Sequence, residues 1–348
     1  MALTNFPNGL SSFGIPVLGG AGIPFTGDYY FVDPANGSDG NKGKSPGNAF
    51  ATLYKAHSVM TSGNNDVCYL IGNGLSTGTA RLSLALAQAV DSSVTAGTLV
   101  WSKNACHLIG ITAPTAVAQR ARIAPPTGVY TAATFGSGNF ITVSGSGCMF
   151  SNFSVFNGFS TGGVNQIAWT DTGSRNYYLN VNFGGMGDAA SAGDAGSRSL
   201  KVGAAGSGEN TFDGCVIGLD TVTRGAIANA SLELAGGTPR NVFRDCTFPM
   251  ATTAATPLSI LCTDASAIDR WQRFDNCLFL NAMSSGATAQ TQIVSMTSAS
   301  PGGYLAMNNC GFVGDGNTNW GDTNALANMY VLGATPLTAS NGIMIKPS

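Results

Sequence analysis

Between Thr211 and Phe312 one short phrase recurs four times. It reads Phe212-Asp-Gly-Cys215-Val-Ile, Phe243-Arg-Asp-Cys246-Thr-Phe, Phe274-Asp-Asn-Cys277-Leu-Phe and Met307-Asn-Asn-Cys310-Gly-Phe. The cysteines stand 31, 31 and 33 residues apart. Self-similarity at such a period marks stacked supersecondary units, each too small to bury its own apolar face. Every copy runs apolar, polar, polar, apolar, variable, apolar. That is a strand, a sharp polar corner and a second strand, too short for an amphipathic helix. The chain is expected to be all-β and to grow in one dimension as a solenoid.

The phrase extends upstream. Leu108-Ile-Gly110-Ile111, Phe150-Ser-Asn152-Phe153 and Tyr178-Leu-Asn180-Val181 share its phase. The structural column therefore reads Ile111, Phe153, Val181, Cys215, Cys246, Cys277 and Cys310, with gaps of 42, 28, 34, 31, 31 and 33 residues. Unequal gaps imply loop insertions at constant strand phase. One position earlier run Gly110, Asn152, Asn180, Gly214, Asp245, Asn276 and Asn309. These residue types tolerate the left-handed backbone of a tight corner, and stacked asparagines bond along the axis. About eight coils fit between residues 66 and 316, an axis on the order of 40 Å.

Composition agrees with stacked coils. Of 348 residues only 10% are charged, 44% are apolar and 47 are glycine. The eight cysteines mostly hold one repeat phase, which predicts buried reduced thiols acting as small hydrophobes. With no Cys-x-x-Cys and two histidines, no zinc site is expected, and no cofactor. A net charge of −2 carries no polybasic signature, so nucleic acid is not an expected partner. No apolar run reaches the ~18 residues of a membrane span. No basic region followed by an apolar core opens the chain, so no secretory signal is expected.

Residues 28–65 change character and read as a cap. Tyr29–Val32 predicts a strand, Asp33–Lys44 a turn-rich loop, and Ser45-Pro46 the opening of a helix of about 12 residues. Ala49, Leu53, Ala56 and Met60 supply its apolar stripe. The run from Tyr29 through Asp33-Pro-Ala-Asn-Gly-Ser-Asp-Gly40, Ser45-Pro46 and Thr52-Leu53 resembles the opening of right-handed parallel β-helix proteins of the pectate-lyase-like superfamily. The resemblance implies a single-stranded right-handed parallel β-helix with an N-terminal capping helix. That superfamily includes polysaccharide lyases and hydrolases, phage tailspikes and structural virion proteins.

Catalytic candidates are sparse. Glycosidic hydrolysis needs two carboxyl groups flanking the bond, and the chain has two glutamates, Glu209 and Glu233, with 16 aspartates. Asp213, Asp245 and Asp275 fall at or beside corners, where a structural role suffices. The superfamily's lyases use an acidic calcium cluster with a nearby basic residue, and no such motif stands here. Asp33, Asp39 and Asn41 read as a solvated turn, with a cation site as the rarer alternative. His57 and His107 are isolated from any nucleophile. Arg270, Trp271 and Arg273 are suited to gripping a sugar or a partner. The expectation is a protein that is not an enzyme, with no catalytic, cofactor or metal residues.

Residues 1–27 form an arm with no period of its own, carrying Phe6, Leu10, Phe13, Ile15, Val17 and Leu18. Apolar groups on an irregular segment need a surface elsewhere. Leu3 through Gly20 resembles the openings of tailed-bacteriophage virion proteins, particularly small structural proteins of the head. This resemblance implies a capsid decoration or cement protein on the outer surface of the virion, its arm docked on the major capsid protein and its β-helix projecting as a homotrimer. The alternative is a tailspike or receptor-binding protein that binds or cleaves host surface glycan. The expected organisation is a docking arm at 1–27, a cap at 28–65, the β-helix at 66–316 and a closing or oligomer-contact segment at 317–348.

Overall fold

The computed structural model describes residues 11–12, 15–16, 26–72, 99–124, 138–158, 166–203, 206–263, 267–282, 290–298, 302–313 and 319–332. Three parallel sheets run the length of this body. Sheet 1 has ten strands, from Tyr29–Val32 to Met329–Leu332; sheets 2 and 3 have eight each. One coil shows the path. Met149–Ser151 lies in sheet 1, the chain turns at Asn152, and Ser154–Phe156 enters sheet 2. Gln166–Asp171 follows in sheet 3, and Tyr177–Leu179 returns to sheet 1 one level up. From Asp66–Ile71 onward each strand of these sheets pairs with its equivalent in the next coil rather than with the strand that follows it in sequence, which defines a parallel β-helix.

The polar corner does what its residue types require. Asn152, Asn180, Gly214, Asp245, Asn276 and Asn309 all have φ between 50° and 57°. Asn180 Nδ2 donates to Asn152 Oδ1 at 3.0 Å, and Asn309 Nδ2 to Asn276 Oδ1 at 2.8 Å, so the corners are tied along the axis. Inside, the first residues of the phrase form an aromatic spine. Rings of Tyr178, Phe212, Phe243 and Phe274 lie 4.5, 4.6 and 4.7 Å apart and within 5° of parallel.

Phe153, Val181, Cys215, Cys246, Cys277 and Cys310 are buried beside that spine. Each of the last three thiols donates to the carbonyl of the preceding coil's phenylalanine, as Cys246 Sγ does to Phe212 O at 3.4 Å. Ile111 is different: it is 44% exposed. At that coil residues 112–121 intervene between the strand Cys106–Ile111 and the sheet 2 strand Arg122–Ile123. Because Arg122 pairs with Ser154, buried Ala121 stacks on Phe153 and holds the column position in place of Ile111. All eight cysteines are free and buried. Thiol labelling of native protein is therefore expected to be slow and to reach eight per chain after denaturation; rapid native labelling of Cys215, Cys246 and Cys277 would sink the packing role.

The cap splits where a single helix was expected. Pro46–Asn48 forms one 3-10 turn, Ala49 is extended, and the α-helix is Leu53–Val59. Phe50 forces the break by bridging to Val32, with its N–H on Phe31 O at 2.8 Å. Asp39 then takes Ala51 N, Thr52 N and Thr52 Oγ1, and Thr52 caps the helix through Lys55 N. At the other end the stack runs on past residue 316. Asn319–Gly321 adds to sheet 3, Met329–Leu332 adds to sheet 1, and the helix Thr323–Ala327 between them is capped by Asp322. Of the arm, Ser11–Ser12 pairs antiparallel with Ile15–Pro16. Phe6, Leu10, Phe13, Val17 and Leu18 lie outside the described residues.

Both histidines serve the fold as neutral acceptors. His57 Nε2 accepts Ser102 N at 3.2 Å, and His107 Nδ1 accepts Met149 N at 3.0 Å. Burial pulls both imidazoles down to about 4, with Lys103 adding to the effect on His57. Burial pushes Asp171 the other way, up to about 6, against hydrogen bonds from Tyr178, Gly173 and Asn176. In the unfolded chain histidine titrates near 6.5 and aspartate near 3.9. The histidine contribution to stability is thus complete above pH ~6.5 and lost as pH falls toward 4, because the unfolded state takes up protons first. Asp171 acts oppositely, since the folded state protonates first, and it recovers part of that loss as pH drops through 6. Two groups outweigh one. Denaturant titrations at pH 7 and 4.5 are expected to show a loss on the order of 3 kcal/mol, larger still in Asp171→Asn.

Candidate functional site on the outer face of sheet 1

With Phe212, Phe243, Phe274 and Met307 pointing inward, the alternate residues of sheet 1 point out. Register sets them in two rows along the axis. One row is Asp213, Arg244, Asp275, Asn308 and Leu332; the other is Thr211, Val242, Arg273, Ala306 and Tyr330. The first row alternates in charge. Arg244 pairs with Asp213, which also accepts Tyr177 Oη at 2.7 Å. Asp275 takes Arg273 Nε at 2.7 Å and Asn308 Nδ2 at 3.2 Å. The guanidinium of Arg244 holds the Asp213 carboxyl below its ordinary value, and burial opposes it.

A second left-handed corner, between sheets 3 and 1, carries a parallel charge ladder. Arg175, Glu209, Arg240 and Arg270 occupy it with φ of 58°, 60°, 52° and 71°. Glu209 joins three coils, pairing with Arg175 at 2.8 Å on one side and Arg240 on the other. Just inside, Asn176, Asn210 and Asn241 form a buried ladder: Asn210 Oδ1 accepts Asn176 N, and Asn241 Oδ1 accepts Asn210 N, both at 2.9 Å. Sequence reasoning missed this corner. Its signal was present, because these asparagines precede Val181, Cys215 and Cys246 by five residues each time. Each stands two positions upstream of its copy of the phrase, outside a reading that began each copy at its aromatic residue.

The rows end in an uncharged patch. Tyr304 is 43% exposed, Tyr330 60% and Leu332 52%. The two tyrosine rings meet edge to face at 5.4 Å. Trp271 lies beside Tyr304 by register, between exposed Arg270 and Arg273. The expected grip residues lie on the strand Ile268–Asp275, with Gly302–Asn308 between it and the edge strand Met329–Leu332. Arg270 reaches Asp269 at 3.6 Å and Arg273 reaches Asp275. Exposed ion pairs of this kind contribute about 0–1 kcal/mol each, so the ladder adds little to stability.

Other candidates fall to structural duties. Asp33 accepts Ala35 N and Asn36 N, Asp39 holds the cap, and Asn41 Nδ2 donates to Ala49 O. Asp245 accepts Asn276 Nδ2 at 3.2 Å. Among the described residues no three of His, Cys, Asp and Glu are placed to hold a metal ion. Glu233 is buried on sheet 3 between Arg198 and Lys201.

No family model and no curated protein matches this sequence. Solved structures do. Pectin methylesterase from Aspergillus niger in deglycosylated form is 13% identical, over 92% of this chain and 90% of that one, with a TM-score of 0.51. Pectate lyase Pel9A is 12% identical over 91% of this chain and 73% of that one, with a TM-score of 0.47. ORF18 of Geobacillus virus E2 is 10% identical over 74% of this chain and 48% of that one, with a TM-score of 0.39. At these identities the likeness is one of fold, the parallel β-helix already described. The expectation that the chain is not an enzyme is corrected by this comparison: a pectin methylesterase carries the same fold, so the architecture does not set catalysis aside.

Proposed function

We propose that this chain is a surface protein of a tailed-phage virion, a decoration or cement protein docked on the major capsid protein through residues 1–27. What supports this reading best is the cap. Val32, Phe50, Leu53, Ala56 and Met60, all from residues 28–60, pack into the core at the first coil. In this proposal Phe6, Leu10, Phe13, Ile15, Val17 and Leu18 of the arm supply the apolar contacts to a shell protein. On this reading the β-helix projects outward as a homotrimer, and Tyr304, Tyr330 and Leu332 supply an apolar flank for contacts between copies. Three weak arms gain avidity by acting together.

A second reading, a tailspike or receptor-binding protein that binds or cleaves host surface polysaccharide, draws on Trp271, Tyr304 and the arginines beside them. Aromatic faces suit sugar rings, and guanidinium groups suit hydroxyl and carboxylate oxygens. One experiment separates the two. Protein lacking residues 1–25 is expected to keep its β-sheet circular dichroism and lose attachment to purified heads. Normal decoration by the truncated protein would rule out the arm. Loss of host-glycan binding in Trp271→Ala, with head attachment intact, would favour the second reading.

A further inference from the structure

Over its first coils the outer face of sheet 1 is apolar. One row runs Tyr29, Val67 and His107 by register and continues to Met149, whose N–H His107 accepts. Beside it stand Phe31, Tyr69, Ile109 and Ser151. These side chains alternate with Cys68, Leu70, Leu108 and Phe150, which fill the core. Val67, Ile109 and Met149 accordingly form a cluster of their own, apart from the core. An outward residue on a bare sheet keeps part of its surface in water. Val242 lies further along the same row and is only half-buried. Val67, by contrast, is 0% exposed, Met149 3% and Ile109 6%.

A further layer therefore lies on these three residues. Among the described residues the apolar side chains packed on them are Tyr69 and Tyr177, both of this same face and only partly buried. Side chains standing abreast on one sheet do not close over one another's tips. His107 gives the same sign, since burial on this face lowers its imidazole. The footprint takes in the strands Asp66–Ile71, Cys106–Ile111 and Met149–Ser151, two steps of about 4.8 Å. A few apolar side chains fill such an area. Residues 1–25 lead straight to it. Asp28, just after them, is tied there: its N–H donates to Asp66 Oδ1 and its carbonyl accepts Val67 N, both at 2.8 Å. The segment carries Phe6, Leu10, Phe13, Val17, Leu18 and Phe25 and no Asp, Glu, Lys or Arg, so its burial desolvates no charged side chain. At about 3.3 Å per extended residue, its length reaches across the footprint even when doubled back.

We propose that residues 1–25 fold back on their own β-helix and cover the outer face of sheet 1 at Val67, Ile109 and Met149. The tether at Asp28 favours the chain's own arm over that of a second copy, because a short link holds the segment at an effective concentration on the order of millimolar. This inference does not rest on the virion reading. Docking on a shell protein would then be a transfer of the arm from its own sheet, which uncovers an apolar patch in the exchange.

Ser151 is the probe, because it faces outward, is buried on this patch and differs from cysteine only in sulfur for oxygen. In Ser151→Cys, maleimide labelling at position 151 is read by peptide mass spectrometry, apart from the eight buried native thiols. Labelling is expected to be slow in the full chain and about tenfold faster or more in protein lacking residues 1–25. Equal rates would place the cover elsewhere and overturn the proposal. Full-length Phe6→Ser/Phe13→Ser/Phe25→Ser, carrying the same probe, repeats the comparison without truncation and is expected to label faster than Ser151→Cys alone. Unchanged slow labelling there, in protein with native circular dichroism, would overturn the proposal even if the truncated chain does not fold. Protection in the full chain is expected to be independent of protein concentration. Loss of protection on dilution would assign the cover to a second copy and overturn the assignment to the chain's own arm. None of these readouts involves heads, so failure here is distinct from failure of the capsid reading.

Discussion

Replacing Phe243 by alanine is expected to destabilise the protein by about 3–5 kcal/mol, the range for emptying a buried aromatic site. Phe243 is fully buried and stacked on Phe212 below and Phe274 above. Coils contact only their neighbours, so a void at one level weakens two interfaces and the damage is not shared across a three-dimensional core. Urea denaturation followed by circular dichroism measures it. Tyr304→Ala, on the outer face, is the control and is expected to stay within about 0.5 kcal/mol. If the two variants lose equal stability, the spine is not what holds the coils together.

The second large effect is expected at Glu233. Glu233→Gln leaves Arg198 and Lys201 without a carboxylate partner among the described residues. Breaking a buried pair by removing one partner typically costs about 3–5 kcal/mol, whereas replacing both partners with apolar groups is often neutral. Arg198→Met/Glu233→Met is therefore expected to be milder than Glu233→Gln. The comparison is made by the same denaturation at pH 7. A loss below about 1 kcal/mol for Glu233→Gln would mean that water reaches the cluster and screens it.

The two predictions differ in how far they were legible beforehand. Phe243 stands at the first position of the repeated phrase, and its spacing from Phe212 and Phe274 equals that of the cysteines. A column in the sequence therefore became a stack in space, because a parallel solenoid places equivalent residues one strand spacing apart. Glu233 could be noticed only for its rarity. Its partners Arg198 and Lys201 lie 35 and 32 residues away, and no phrase marks them. Ile111 shows the opposite failure. It fits the pattern by local phase, yet the ten residues that follow carry the chain away before sheet 2 begins, and Ala121 fills the position. The cap helix failed for a similar reason, since its stripe was right but the Phe50 bridge to Val32 outweighed local propensity.

Sequence alone determined the coil period, the polar corner and its left-handed residues, the inward row of cysteines and the cap that begins the stack. All of these follow from local chemistry repeated at a fixed spacing. Tertiary structure decided the rest: the second asparagine corner, the charge ladder of Asp213, Arg244 and Asp275, the exposed patch of Tyr304, Tyr330 and Leu332, and the buried cations around Glu233. These depend on cross-coil register, and register is set by how many residues each loop spends between sheets. Loop length is free in sequence space, and only the packed stack reveals which distant residues it brings to one level.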